Sequence, residues 1–199
     1  DNLCLNTVSM TPENDAQLIK QYLKGDEESL RVLYEQYVPS VYNFIFRLAP
    51  SGFDVEDIVQ EAFVKAWLNL KKFDQSKSFK TWIFTIAKNV LFDQIKKKQP
   101  IAFSQLESDE EGNVPDLDVA DSRPLADEIL NAIDSDKRFE ELLQILNPVQ
   151  RAVVISHAIE GLTFSEIGEV LGQPMDTVKT RYRRAIGKLQ AYLNQNNHS

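Results

Sequence analysis

The sequence predicts an all-α protein made of two helical domains joined by an acidic flexible linker. Three observations predict it. Apolar residues recur at three- and four-residue spacing through residues 10–99 and again through 125–199. No stretch carries the period-two alternation of a half-buried strand. Between the two helical parts, residues 100–124 lose the apolar period and collect acids, Gly112 and Pro115. Such a segment buries too little surface to fold alone, and its like charges keep it extended.

The elements follow in order. Residues 15–24 form a short helix stopped by Gly25. Asp26 is the N-cap of the next, with Glu27 and Glu28 in its first turn. Its apolar stripe runs Leu30, Leu33, Tyr37, Val41, Phe44, Ile45, Leu48, and Pro39 is expected to bend or divide it. Residues 54–70 form an amphipathic helix with Ile58, Ala62, Trp67 and Leu70 toward the core. A further helix starts at an N-cap, Ser78, and ends in the lysines before Pro100. Helical period returns over residues 125–146. Pro148 then suits the first turn of a helix that runs to about Glu160 and stops at Gly161. Thr163 caps a short helix ending at Leu171 and Gly172, and after Gln173 and Pro174 a long helix runs to about Asn194, with Asp176 as a candidate N-cap.

Composition excludes several function classes. The only cysteine is Cys4 and the only histidines are His157 and His198, so neither a disulfide framework nor a metal site is expected, and no cofactor is. No apolar run approaches the roughly 20 residues of a membrane span, and the N-terminus lacks a charged-then-apolar export pattern. A soluble, cytoplasmic chain with no membrane insertion is expected. The net charge of −8 belongs to one segment: residues 101–137 hold 11 acids and 2 bases, whereas residues 1–100 balance at 13 each. Residues 71–98 carry 8 lysines against 2 aspartates, and residues 176–188 carry 5 bases against 1 acid. Local fields of this kind, rather than net charge, are what a phosphate backbone meets.

Two segments carry chemistry. Residues 163–185 have the spacing of a helix-turn-helix: Gly168 permits close helix crossing, Gly172 supplies a left-handed turn, and Ile167, Leu171, Val178, Tyr182 and Ala185 form the shared core. The second helix then exposes Lys179, Thr180, Arg181, Arg183 and Arg184. Arginines there can read guanine bidentately, while lysine positions the protein through phosphates. The plainer alternative is a solvated basic face. In residues 71–98, Phe73, Phe79, Trp82, Phe84 and Phe92 interleave with the lysines, a pairing that suits backbone binding and base stacking. Their plainer alternative is the core. Asp54, Asp57, Gln60 and Glu61 share a helix face with no histidine, phosphate loop or nucleophile beside them, so catalysis is not expected.

Together these residues resemble the extracytoplasmic-function sigma factors of the sigma-70 family. The first match is Asp54-x-x-Asp57-Ile58-x-Gln60-Glu61-x-Phe63, followed by Phe79-Lys80-Thr81-Trp82-Ile83, Asn89 and Asp93. The second is Glu160-Gly161-Leu162-Thr163-Phe164-x-Glu166-Ile167-Gly168, followed by Thr177-Val178-Lys179-Thr180-Arg181 and Arg184-Ala185. The resemblance implies sigma domain 2 over residues 10–99 and sigma domain 4 over residues 125–199. It implies that Asp54, Asp57, Gln60, Glu61 and Phe63 bind the clamp helices of RNA polymerase core. It implies that Asp74, Ser76, Lys77, Phe79, Lys80, Trp82, Lys88, Asn89, Asp93, Lys96 and Lys97 recognise and melt the −10 promoter element, the loop over residues 74–78 holding a flipped base. Thr177, Lys179, Thr180, Arg181, Arg183 and Arg184 would read the −35 element while domain 4 touches the polymerase flap. An anti-sigma partner and a stress-response role are implied as well. The acids over residues 107–121 would either imitate nucleic acid in the polymerase cleft or serve as a solubilising tether. Three positions depart from the family pattern: Asn147 between Leu146 and Pro148, Asp176 before Thr177, and the charge of Arg183. The competing readings are a sigma-mimicking antagonist of an anti-sigma factor, a simple helix-turn-helix regulator, and an enzyme.

Overall fold

The computed structural model describes residues 12–98 and 142–196, and every regular element in them is helical. The linker, the helical period expected over residues 125–141, Cys4 and the first ten residues lie outside the described residues.

Helix α1 (Pro12–Leu23) begins with a proline, whose absent N–H costs nothing in a first turn. It packs on α2 (Glu27–Leu48) by burying Ile19 and by the buried Asp15, which accepts from Tyr37 Oη at 2.5 Å and Gln36 Nε2 at 3.1 Å. Burial pushes the Asp15 carboxyl above its ordinary range, and the two hydrogen bonds offset part of that cost. Asp26 caps α2 through Glu28 N at 3.2 Å, as its position predicts.

Of the two outcomes expected at Pro39, a bend or a division, the division does not occur: α2 runs continuously from Glu27 to Leu48. Pro39 and Glu35, whose carbonyl loses its partner, are both exposed. Water can satisfy that carbonyl, and the buried face, from Leu33 through Tyr37 and Val41 to Leu48, holds the helix on either side.

Helix α3 (Val55–Asn69) is capped by Asp54, which accepts from Asp57 N at 3.1 Å. A 3₁₀ turn (Leu70–Lys72) and a short loop lead to α4 (Phe79–Lys98), where Ser78 Oγ meets Thr81 N at 3.3 Å. Helices α2, α3 and α4 close around Phe79. Its ring lies edge-on to Tyr37 at 5.2 Å and to Phe73 at 5.7 Å, stacks on Trp67 at 6.3 Å, and tilts against Trp82 at 5.7 Å. Rings in such offset and edge-on arrangements add to the burial of their area.

The second unit begins with Leu142, Leu143 and Leu146 in the core. Helix α5 (Pro148–Val154) opens on a reciprocal box: Asn147 Oδ1 accepts from Gln150 N at 2.8 Å, and Gln150 Oε1 accepts from Asn147 N at 3.4 Å. The residue that departs from the family pattern is therefore a helix cap. Replacing Asn147 with alanine is expected to destabilise this unit by about 1 kcal/mol, read as a lower denaturant midpoint of its helical circular dichroism.

The helix expected to run evenly to Glu160 instead widens into a π turn (Ile155–Ile159), with Glu160 N donating to Ile155 O at 3.1 Å. The turn carries His157, which stacks on Phe164 at 4.4 Å, meets Tyr182 edge-on at 5.0 Å and hydrogen-bonds Leu162 O through Nδ1 at 2.9 Å. Helix α6 (Phe164–Leu171) has a capping box between Thr163 and Glu166 and ends at Gly172, φ 68°. Helix α7 (Met175–Asn196) starts before Asp176, which is thus a first-turn residue and not the cap. An acid there still favours the helix N-terminus.

Candidate nucleic-acid and protein interfaces

Helix α3 presents one continuous outer stripe. Residues 57, 61, 64 and 68 recur at three- and four-residue spacing, with residue 60 beside them, so they share a face. Asp57 and Gln60 are exposed, and Glu61 is partly so. Glu61 pairs with Lys65 at 2.7 Å and accepts from Gln94 Nε2 at 3.1 Å. The hydrogen bond from Lys65 holds its carboxyl below the usual range. The same stripe continues into two apolar side chains that the sequence reasoning missed, Val64 at 55% and Leu68 at 78% exposure. Both fall off the core stripe of Ile58, Ala62 and Ala66, and that offset was the available signal. Phe63 points the other way: it is buried, 4.9 Å from the ring of Tyr34 and 5.5 Å from that of Trp67. It supports the stripe from within.

The loop before α4 is organised by Asp74, whose Oδ1 accepts from Ser76 N at 3.0 Å and Ser76 Oγ at 2.8 Å, while Lys77 N donates to Asp74 O at 2.9 Å. The backbone hydrogen bond from Ser76 holds the Asp74 carboxyl down. Asp74, Ser76 and Lys77 are exposed, and Trp82 is half-buried behind them, its ring 4.9 Å from Phe73. Along α4, Trp82, Asn89, Asp93 and Lys96 share a face by helical spacing, and Asn89, Asp93, Lys96 and Lys97 are exposed. Lys88 lies over the Phe92 ring at 5.6 Å; burial pushes its ammonium down, opposed by Asp93. Phe79 is only 1% exposed. It is the hub of the aromatic core and is closed to any partner, whereas Trp82 is half-buried.

On α7 the buried stripe is Val178, Tyr182, Ala185, Ile186 and Leu189. The basic residues occupy the rest of the circumference. Thr180 is exposed, whereas Thr177, Lys179, Arg181, Arg183 and Arg184 are half-buried. Lys179 lies 3.9 Å from Asp176. The long apolar stems of these basic residues cover neighbouring surface, and Arg181 Nε and Nη1 and Arg183 Nε are buried from water. Among the described residues, no group of three or more His, Cys, Asp or Glu side chains is placed to hold a metal ion, and no helix is long and apolar enough to cross a membrane.

The two units also touch. Helix α4 packs on α6, and Lys80 Nζ donates to Glu160 O at 2.5 Å and lies 3.6 Å from the Glu160 carboxylate. Thr81 Oγ1 donates to Glu166 Oε1 at 3.4 Å, and Lys77 lies 3.9 Å from Glu169. Sequence reasoning missed these three acids as a group, because their partners lie some eighty to ninety residues away.

Comparison with known proteins matches residues 33–101 to Sigma-70 region 2 and residues 136–189 to Sigma-70 region 4. The ECF RNA polymerase sigma factor SigW of Bacillus subtilis is 31% identical over 88% of this chain and 94% of its own length. The ECF RNA polymerase sigma-E factor of Escherichia coli K12 is 28% identical over 86% of this chain and 90% of its own. Among solved structures, CnrH in complex with the cytosolic domain of CnrY superposes with a TM-score of 0.64 at 23% identity, over 92% of this chain and 98% of that one. The sigma factor RpoE of Bartonella quintana, in complex with the anti-sigma factor NepR, superposes at 0.61 and 21% identity, over 84% and 98%. At these identities the superpositions speak to the fold.

Proposed function

This chain belongs to the extracytoplasmic-function RNA polymerase sigma factors, and from that premise we propose how its surfaces divide the work of initiation. Sigma factors of this family bind RNA polymerase core, recognise the −10 and −35 promoter elements and initiate transcription. In the proposed division, residues 10–99 act as domain 2 and residues 125–199 as domain 4, with residues 100–124 as the link. The outer stripe of α3 docks on the core clamp: Asp57, Gln60 and Glu61 supply the polar part and Val64 and Leu68 the apolar part. Asp54 and Phe63 hold that helix in place, one as its cap and the other from the core.

The loop over residues 74–78 and the exposed face of α4 meet the −10 strand. Lys77, Lys80, Lys88, Lys96 and Lys97 contact its backbone, Trp82 and Asn89 lie toward its bases, and Asp74, Ser76 and Asp93 shape the path. Thr177, Lys179, Thr180, Arg181, Arg183 and Arg184 on α7 engage the −35 duplex. The chain contributes no catalytic group of its own; the polymerase performs the chemistry, in the cytoplasm, and an anti-sigma factor restrains the free chain.

The observation that carries this reading is the co-occurrence, in order, of region 2 and region 4 with a basic helix-turn-helix face and a basic, aromatic-backed α4. The test adds the purified chain to sigma-free RNA polymerase core on a promoter library and sequences the transcripts. Specific start sites with two shared upstream elements are expected. Lys179→Ala with Arg184→Ala is expected to reduce transcription from −35-dependent promoters at least tenfold, since single base contacts contribute about 1–3 kcal/mol each. Core binding with no initiation would overturn the reading in favour of a sigma mimic.

A further inference from the structure

Where α2 ends, the chain turns back through Pro50, Ser51 and Gly52, with φ 88° at the glycine, and Phe53 comes to line the same cavity as Phe46. Leu143 and Arg151 of the second unit wall it from the other side. Its volume is about 290 Å³, at the lower bound of the roughly 300–1,000 Å³ typical of small-molecule sites. Phe46 is 49% exposed, although Phe44, two residues earlier, is fully buried.

The charge on these walls has one sign. They carry two guanidinium groups, Arg47 and Arg151, and among the described residues no carboxylate lines the cavity. Arg151 is half-buried, and its Nε and Nη2 donate to the carbonyls of Leu143 at 3.0 Å and Leu146 at 3.4 Å. Both acceptors are neutral, and burial pushes this guanidinium below its ordinary range with no acid opposing. Arg47 shares the field of one carboxylate, Glu160, with Lys80. A third cation, Lys98, lies over the Phe53 ring at 4.5 Å. A half-buried cation held only by carbonyls is stabilised by an anion that reaches it.

We propose that this cavity is a binding site for a small amphipathic monoanion, an apolar ring or short chain that bears one carboxylate. The carboxylate meets Arg151 and Arg47, whose planar forks match its geometry. The apolar body lies against Phe46, Phe53 and Leu143, where phenyl rings favour an aromatic partner in offset or edge-on contact. An inorganic anion suits these walls poorly, because its whole surface would give up water. The site shares no lining residue with the outer stripe of α3 or with the basic face of α7, so it stands apart from the promoter and polymerase surfaces.

The test titrates the full chain with 2-naphthoate in a calorimeter, beside its neutral isostere 2-naphthamide and sodium phosphate. One naphthoate per chain is expected, with a Kd on the order of 100 μM. The amide is expected to bind at least about tenfold more weakly, the scale of one charge-assisted contact, and phosphate to give no heat. The thermal midpoint should rise with naphthoate concentration, as for any ligand of the folded state alone. Phe46→Glu and Arg151→Met are each expected to weaken naphthoate binding at least about tenfold.

No heat and no change of midpoint at millimolar naphthoate would overturn the site. Equal affinity for the amide would overturn its anionic character, and equal affinity for phosphate its apolar one. Binding that survives both substitutions would put the ligand elsewhere and overturn the assignment. If Arg151→Met lowers the helical circular dichroism of the chain, Phe46→Glu decides alone, since a side chain so exposed contributes little to the fold.

Discussion

Leu68→Asp is expected to weaken binding to RNA polymerase core by at least about a hundredfold while leaving the folded chain intact. Leu68 is 78% exposed and Val64 is 55% exposed, one helical turn apart on α3, a placement that contributes little to the stability of the free protein. Full burial of a leucine side chain against a partner is worth about 1.5–3 kcal/mol. An aspartate in the same place would lose that and add the cost of burying a charge without a partner. About 3 kcal/mol corresponds to the stated loss of affinity, whereas an exposed substitution changes stability by no more than about 0.5 kcal/mol. The measurement is a titration of labelled chain with core enzyme beside a thermal melt. Asp57→Asn on the same stripe should have a smaller effect, because rim charges act mainly on association rate and salt dependence. Unchanged core affinity for Leu68→Asp would remove α3 from the polymerase interface. Leu68 is exposed while the two units are in contact, so docking through α3 does not require them to separate.

Local chemistry was legible in the sequence wherever the physics is local. Asp26, Ser78 and Thr163 cap the helices their positions predict, Asp54 caps the helix that was expected to begin with it, and Gly172 adopts the left-handed conformation that ends α6. Each depends on residues no more than three apart. Whether Pro39 divides its helix was not legible, because its cost depends on which way the helix faces: exposed, it leaves a carbonyl to water, and the packed flanks hold the helix. Asp176 was misplaced by two positions, since an acid favours the first turn as well as the cap. The π turn at Ile155–Ile159 has no sequence signature; its geometry accompanies the packing of His157 against Phe164 and Tyr182. Aromatic residues in a basic segment suit base stacking and a core equally, and only burial assigns Phe79 to the core and Trp82 to its edge. The acid-lysine contacts between the units are the least legible, because nothing near Lys80 in sequence indicates Glu160.

Gly168→Val is expected to separate the two jobs of the chain, abolishing −35-dependent transcription while core binding through α3 persists. A Cβ at Gly168 would lie 2.8 Å from the backbone oxygen of Gln173 and 3.7 Å from the backbone nitrogen of Met175. The obstacle is main chain, pinned where Gln173 N donates to Gly168 O at 2.9 Å, so no rotamer change relieves it. Even alanine forces α6 and the start of α7 apart, at about 1–3 kcal/mol, and valine costs more. Gly172→Ala meets nothing within 4 Å and suffers only from φ 68°, about 1 kcal/mol. Denaturant melts of domain 4 should therefore rank Gly168→Val above Gly168→Ala above Gly172→Ala in destabilisation. The reverse order would mean that backbone conformation, and not close approach, sets the geometry of the turn. The functional consequence follows from where the damage lies. Moving α7 displaces Lys179, Arg181 and Arg184 together, so DNA reading fails as a unit, while Leu68 and Asp57 sit on a helix that packs against α2 and α4. A Gly168→Val chain should thus compete with the unsubstituted protein for polymerase core, and added in excess it should inhibit transcription from a −35-dependent promoter instead of merely failing to support it.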